Sequence, residues 1–125
     1  MRSILATTAT LALLASVAAA PADSFSGTGY LASDLLSPCQ ESDNDARWGE
    51  YAETECEQYI LGFVDALKEV GATGPDTGLC PPEVNTADEV RWAYMRWVHK
   101  SYTKRTKMPA ADALFASLKE NFACE

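Results

Sequence analysis

Four cysteines, one histidine and a scatter of carboxylates are the side chains of this chain with chemistry to offer. The cysteines are Cys39, Cys56, Cys80 and Cys124, and no two of them stand as C-x-x-C, the spacing a structural zinc site draws on. An even count in a short chain reads instead as two disulfides. A thiol or hydroxyl nucleophile would need a base, and the only histidine is His99. Its neighbours Arg96, Lys100 and Tyr102 give it the setting of an exposed helix position. Asp65 lies amid apolar residues, beside Gly62 and Phe63, but acid–base work usually pairs carboxylates, so a structural role is the expectation. Glu50, Glu53 and Glu57 recur at helical spacing and read as a solvated face rather than a cation site. The stretch Gly71-Ala72-Thr73-Gly74 lacks the flanking strand and the lysine of a phosphate loop. No catalytic residue, cofactor or metal is therefore expected.

The compartment decides what the cysteines do. Met1-Arg2-Ser3 is a short positive start, Ile4 to Val17 an apolar run, and Ala18-Ala19-Ala20-Pro21-Ala22 a small-residue ending. That order is the signature of a secretory signal peptide. The apolar run is shorter than the roughly 20 residues a membrane span needs, and no second such run follows. Residues 1–22 are read as the signal peptide, with a cut after Ala22 favoured and one after Ala19 the alternative, and no stable membrane insertion of what remains. Residues 23–125 then form one domain, exported to the periplasm, where an oxidising environment keeps cysteines paired. Four cysteines permit three pairings. Cys39–Cys56 with Cys80–Cys124 is favoured, although the sequence alone does not choose among them.

Charge is unevenly spread. Residues 23–90 hold 15 acidic and 2 basic side chains, and residues 91–125 hold 7 basic and 3 acidic ones. The formal net charge of −8 disfavours nucleic acid as a partner. An acidic surface suits a basic protein partner, or serves solubility alone.

The elements that must position these side chains are helical. Tyr30 to Leu36 gives a short amphipathic helix that Pro38 and Cys39 should end. From Asp45 to Val70 the apolar residues Trp48, Tyr51, Ala52, Cys56, Tyr59, Ile60, Phe63, Val64 and Leu67 recur in steps of three and four, one stripe of a long helix. Gly71 should close it as a left-handed cap. Thr86-x-x-Glu89 reads as a capping box opening a third helix with Val90, Ala93, Tyr94, Trp97 and Val98 inward. The basic turn Lys104 to Lys107 ends it. Met108-Pro109 starts a fourth helix with the stripe Ala111, Leu114, Phe115, Leu118 and Phe122. No alternating strand pattern appears. The expected fold is all-α, a small bundle of about four helices stapled by two disulfides. Trp92 and Trp97, five apart, cannot both face the core. Trp92 is expected to be the exposed one, and an exposed Trp is a candidate binding anchor.

The run Leu35…Cys39, then Cys56-x-x-Tyr59-Ile60-x-Gly62-x-x-Asp65, then Cys80-x-Pro82, with the ending Pro109…Phe115-x-x-x-Leu118-x-x-x-Phe122-x-Cys124, resembles the Rap/Tai family of immunity proteins. The resemblance covers nearly all of residues 23–125. It implies a small exported helical protein that protects a bacterium from cell-wall amidases delivered by type VI secretion. It also implies a fold similar to that of the acid-stress chaperone HdeA, and a homodimer among the assemblies to expect. On this resemblance Gly62 is a point where another helix approaches closely, and Tyr59, Ile60 and Asp65 are scaffold residues of the long helix.

The function expected is a non-enzymatic periplasmic inhibitor that binds an effector amidase, or another cell-wall hydrolase, and blocks its cleft. Its expected contacts are the Gly/Pro-shaped loop with Thr73, Gly74, Pro75, Asp76 and Thr77, the acidic loop with Asp43 and Asp45, the basic turn Lys104 to Lys107, and Trp92. The first ranks highest, because Cys80 fixes its base. The alternatives are an acid-stress chaperone of the HdeA kind and an exported stress-linked binding domain with no effector target.

Overall fold

The computed structural model describes residues 29–42 and 49–125. The signal-peptide reading, Asp43, Asp45 and Trp48 lie outside them. Five helices follow in order: α1 Ala32–Glu41, α2 Gly49–Glu69, α3 Thr86–Lys100, α4 Tyr102–Arg105 and α5 Ala110–Asn121. There is no strand among the described residues, only isolated bridges such as Leu31 with Pro109. The all-α reading holds, with the basic turn wound into the extra short helix α4.

Burial explains the arrangement. Leu35 and Cys39 of α1, Ile60 and Val64 of α2, Tyr94 and Val98 of α3, and Leu114 and Leu118 of α5 are fully buried in one core. Each set recurs at three- or four-residue steps, so each helix gives one face to the same apolar interior. The Tyr94 hydroxyl donates to the Ala32 carbonyl at 2.8 Å inside that core, which satisfies its polar end. Burial pushes its phenol well above the usual tyrosine range. The two disulfides are Cys39–Cys56, which ties α1 to α2, and Cys80–Cys124, which ties the loop after α2 to the C-terminal segment. This is the favoured pairing.

Several sequence expectations are corrected. Pro38 does not end α1 but sits inside it, and the helix runs on to Glu41. A proline at that point removes one helical hydrogen bond and leaves the carbonyl four residues back without its usual donor. That carbonyl belongs to Asp34, and the Tyr30 hydroxyl lies 3.1 Å from it. The start of α1 is also held from outside, by Ala32 N–H to the Met108 carbonyl and Ser33 N–H to the Thr106 carbonyl. Tertiary anchoring thus overrides the helix breaker.

Thr86 and Glu89 do not form a capping box. Asn85, left-handed at φ 53°, is the residue before the helix, and the Thr86 hydroxyl donates to the Pro82 carbonyl at 2.7 Å. On α5 the inward face is Ala110, Ala113, Leu114, Ser117 and Leu118, so Ala111 points out. Tyr51, counted in the apolar stripe of α2, is 71% exposed. Gly62 is exposed, and a Cβ built on it meets no atom within 4 Å. The close approach expected there occurs instead at Gly49, whose Cβ would lie 3.0 Å from the Ser42 carbonyl oxygen. Asp65 is likewise exposed and holds no neighbouring element in place. Of the expected scaffold residues, Ile60 is fully buried, while Tyr59 is half-buried with its ring 5.4 Å from that of Tyr30.

Candidate functional site

The loop that leaves α2 is built to be rigid. The Gly71 N–H donates to the Lys68 carbonyl and the Ala72 N–H to the Leu67 carbonyl, the paired bonds of a Schellman cap with Gly71 at φ 70°. Two residues on, the chain turns sharply. The Gly74 carbonyl accepts from the Thr77 N–H, the Gly78 N–H and the Thr77 hydroxyl, at 3.1, 3.0 and 3.0 Å. The Gly74 N–H closes the turn by donating to the Leu79 carbonyl at 2.7 Å. Leu79 is buried, which roots the far side of the turn in the core.

The base is fastened again below the turn. The Cys80 N–H donates to the Phe122 carbonyl and the Cys124 N–H to the Gly78 carbonyl, at 2.9 and 3.0 Å, flanking the Cys80–Cys124 disulfide. What stands clear of these clamps is the tip: Pro75, Asp76 and Thr77 are exposed, while Thr73 and Gly74 are half-buried in the stem. A tip whose shape is fixed before contact loses little conformational freedom on binding, which is the main cost a recognition loop must overcome.

The structure does not bring Trp92 to this loop. Trp92 is 43% exposed on α3, with the Arg91 guanidinium 4.9 Å from its ring centre. Arg91 is buried and anchored at the C-terminal end of α1, donating to the Cys39 carbonyl at 3.2 Å and to the Ser42 hydroxyl, and pairing with Asp88 at 3.0 Å. Cys39 is bonded to Cys56, near the start of α2, whereas the loop follows its end. At 1.5 Å per residue the two places are roughly 20 Å apart along that helix.

A third region escaped the sequence reading. Between α1 and α2 lies a groove of about 660 Å³ lined by Tyr30, Asp34, Glu41, Tyr51 and Glu55 among others. The Tyr30 hydroxyl is 2.7 Å from Glu55 Oε1. Burial first, then the Glu55 carboxylate, holds its phenol far above the usual range, so it stays a proton donor. The signal was present as four-residue steps, Tyr30 to Asp34 and Tyr51 to Glu55. Along the sequence these steps spell only an apolar stripe and a solvated face, and the pairing of two helices makes them concave.

His99 is exposed, as expected. The Gln40 amide donates to its Nε2 at 2.8 Å, and its ring stacks on Tyr102. Among the described residues no group of three or more His, Cys, Asp or Glu side chains is placed to hold a metal ion. No helix among them is long and apolar enough to cross a membrane.

The family model of the Rap1a immunity proteins matches residues 31–124, from the residue before α1 to the second cysteine of the C-terminal clamp. No curated protein and no solved structure matches the chain. A match over that span takes in all five helices, both disulfides and the clamped loop. The chain belongs to the Rap1a immunity protein family.

Proposed function

We propose that this chain is an exported immunity protein that binds a cell-wall amidase delivered by type VI secretion and blocks its cleft in the periplasm. It acts as an inhibitor and not as an enzyme. The observation that carries the reading is the loop 73–78: a narrow tip of Pro75, Asp76 and Thr77 on a stem locked by hydrogen bonds and a disulfide. A convex, pre-shaped projection is what a concave active site accepts, and inhibition needs only a complementary surface of about 800 Å² per partner with a few anchors. The family supports a partner of the effector kind. The positive, apolar and small-residue order of residues 1–22 supports export to where cell-wall enzymes act.

The test is protection of cells that express a cell-wall amidase in the periplasm, with any hydrolase encoded in the flanking genes as the first candidate. The wild-type chain should prevent lysis. Replacing Pro75, Asp76 and Thr77 together by Ala should abolish protection while lowering the melting temperature only slightly, through the lost Thr77 hydroxyl bond. Full protection by that variant would remove the loop from the mechanism, and failure of the wild-type chain to protect or to bind any hydrolase would remove the amidase.

A further inference from the structure

The two disulfides sit in opposite surroundings. Cys39 and Cys56 belong to α1 and α2, and both are fully buried in the core that holds Leu35 and Ile60. Cys80 and Cys124 lie outside every helix, one between the loop and Pro81, the other beyond the end of α5. Cys80 is exposed and Cys124 half-buried. Beside this second bridge, the two segments meet through the Cys80 N–H to the Phe122 carbonyl and the Cys124 N–H to the Gly78 carbonyl. A reagent reaches the first bridge only when α1 leaves α2, which means opening the core. The second needs no such opening.

We propose that the Cys80–Cys124 bridge is a redox latch on the loop: a dithiol cuts it in the folded protein and loosens the stem, while Cys39–Cys56 stays closed. Exchange requires a thiolate to reach a disulfide sulfur, so access decides which of two bridges reacts, and exposed disulfides are the labile ones. The thiolate of the dithiol attacks Sγ of Cys80, the more exposed partner; the S–S bond breaks, and Cys124 leaves as a thiolate that takes a proton from water. The second thiol of the reagent, deprotonated in turn, displaces Cys80 from the mixed disulfide, and the Cys80 thiolate is protonated likewise. The reagent ends as its own disulfide, oxidised by two electrons, and the bridge ends as two thiols. The backbone bonds left behind join exposed and half-buried residues, where water competes for the same groups. Leu79 still roots the turn in the core, but the stem of Pro75, Asp76 and Thr77 is no longer fastened from the α5 side. That this release disarms inhibition rests on the reading of that tip as the contact loop. On that reading the inhibitor is active only where cysteines are kept paired.

The experiment treats the oxidised protein, expressed from the full-length chain, with rising dithiothreitol in the absence of denaturant. Iodoacetamide then traps the free thiols, and peptide mass spectrometry locates the label. Cys80 and Cys124 should be labelled at concentrations that leave Cys39 and Cys56 unlabelled and the helical circular dichroism unchanged. Label should reach the buried pair only when urea is added. In the protein reduced to that stage, the amides of Cys80 and Cys124 should exchange hydrogen about tenfold faster or more, while those of Cys56 to Val64 stay slow. Labelling of all four together, labelling of the buried pair first, no labelling short of unfolding, or unchanged exchange at residues 80 and 124 would each overturn the proposal. None of these steps contains a hydrolase, so their failure would leave the amidase reading standing. A cell-wall amidase inhibited by the oxidised form and not by the partly reduced one supports the latch. Equal inhibition by both forms would overturn it as a control on activity. Inhibition by neither form would sink the amidase reading and leave the latch to be judged on labelling and exchange.

Discussion

The Tyr30 hydroxyl lies 3.1 Å from the backbone carbonyl oxygen of Asp34, the acceptor that Pro38 leaves without its helical donor. The same hydroxyl faces Glu55 at 2.7 Å, so its single proton is shared between the carbonyl that Pro38 orphans and the carboxylate of α2. Tyr30→Phe should therefore cost about 1 kcal/mol, the usual worth of a hydrogen bond. In a Pro38→Ala background the backbone N–H gained at that position takes over the Asp34 carbonyl, and the same change should cost about half as much. Urea unfolding of the two single variants and the double variant measures the coupling. Additive costs would show that Tyr30 acts only through Glu55.

Pro38 also shows what the sequence alone cannot weigh. The helix period, the two disulfides and the exposure of Trp92 follow from spacing, because they depend on residues within a few turns of one another or on compartment. The extension of α1 through Pro38 depends on Tyr30, on Met108 and Thr106 across the fold, and on the Cys39–Cys56 bond. The groove depends on how α1 lies against α2, which puts Glu55 opposite Tyr30 although 25 residues separate them. The failed capping box at Thr86 is local: Asn85 in the left-handed region and the Pro82 carbonyl outcompete the expected side-chain cap. For the loop, Gly and Pro spacing gave a turn and Cys80 a fixed base, but the backbone clamp to Phe122 and Gly78 is a contact between distant segments.

Gly49 and Gly62 should respond oppositely to alanine. A Cβ at Gly49 would sit 3.0 Å from the Ser42 carbonyl oxygen, a backbone atom that a side-chain rotation cannot move aside. Gly49→Ala should destabilise by about 1 to 3 kcal/mol, the cost of overpacking. Gly62 is an exposed helical glycine with nothing within 4 Å, so Gly62→Ala should stabilise the single chain by up to about 1 kcal/mol through helix propensity. Thermal melts of the two variants decide it. Destabilisation at Gly62 would show that a neighbour does approach there, in an assembly of more than one chain.

The two disulfides should prove unequal in what they hold. Cys80–Cys124 spans 44 residues and Cys39–Cys56 spans 17. In the chain-entropy model their removal costs about 4 and about 3 kcal/mol. The larger difference is local. Replacing Cys80 and Cys124 by Ala should speed hydrogen exchange at the amides of residues 80 and 124, which face Phe122 and Gly78, and leave those of Cys56 to Val64 slow. Protection against the amidase should fall with it. Slow exchange at both sites in that variant would mean that the hydrogen bonds hold the loop without the bridge.

The Trp97 indole N–H donates to Glu120 at 2.7 Å, and Lys100 reaches the same carboxylate at 3.3 Å, a bond that pins α5 to α3. Arg105 stacks on the other side of the pair, its guanidinium 3.8 Å from the Trp97 ring centre and bonded to the Trp97 carbonyl. The Trp97 hydrogen bond, followed by Lys100, holds the Glu120 carboxyl below its ordinary value of 4.5. A group with a depressed folded pKa stabilises the fold above its unfolded pKa, and loses that contribution as pH falls through the folded value. The contribution of Glu120 should thus be complete at neutral pH and decline below about pH 4.5. Glu120→Gln keeps an acceptor for the indole but removes the charge. Its melting temperature should lie below that of the wild type at pH 7 and converge on it as the buffer is acidified. A gap that stays constant from pH 7 downward would assign the effect to packing instead. Dye binding in the same acid series separates the two classes of function. An acid-stress chaperone would gain dye-accessible apolar surface, and client protection with it, as this bond is titrated. An immunity protein would lose stability there without protecting a client.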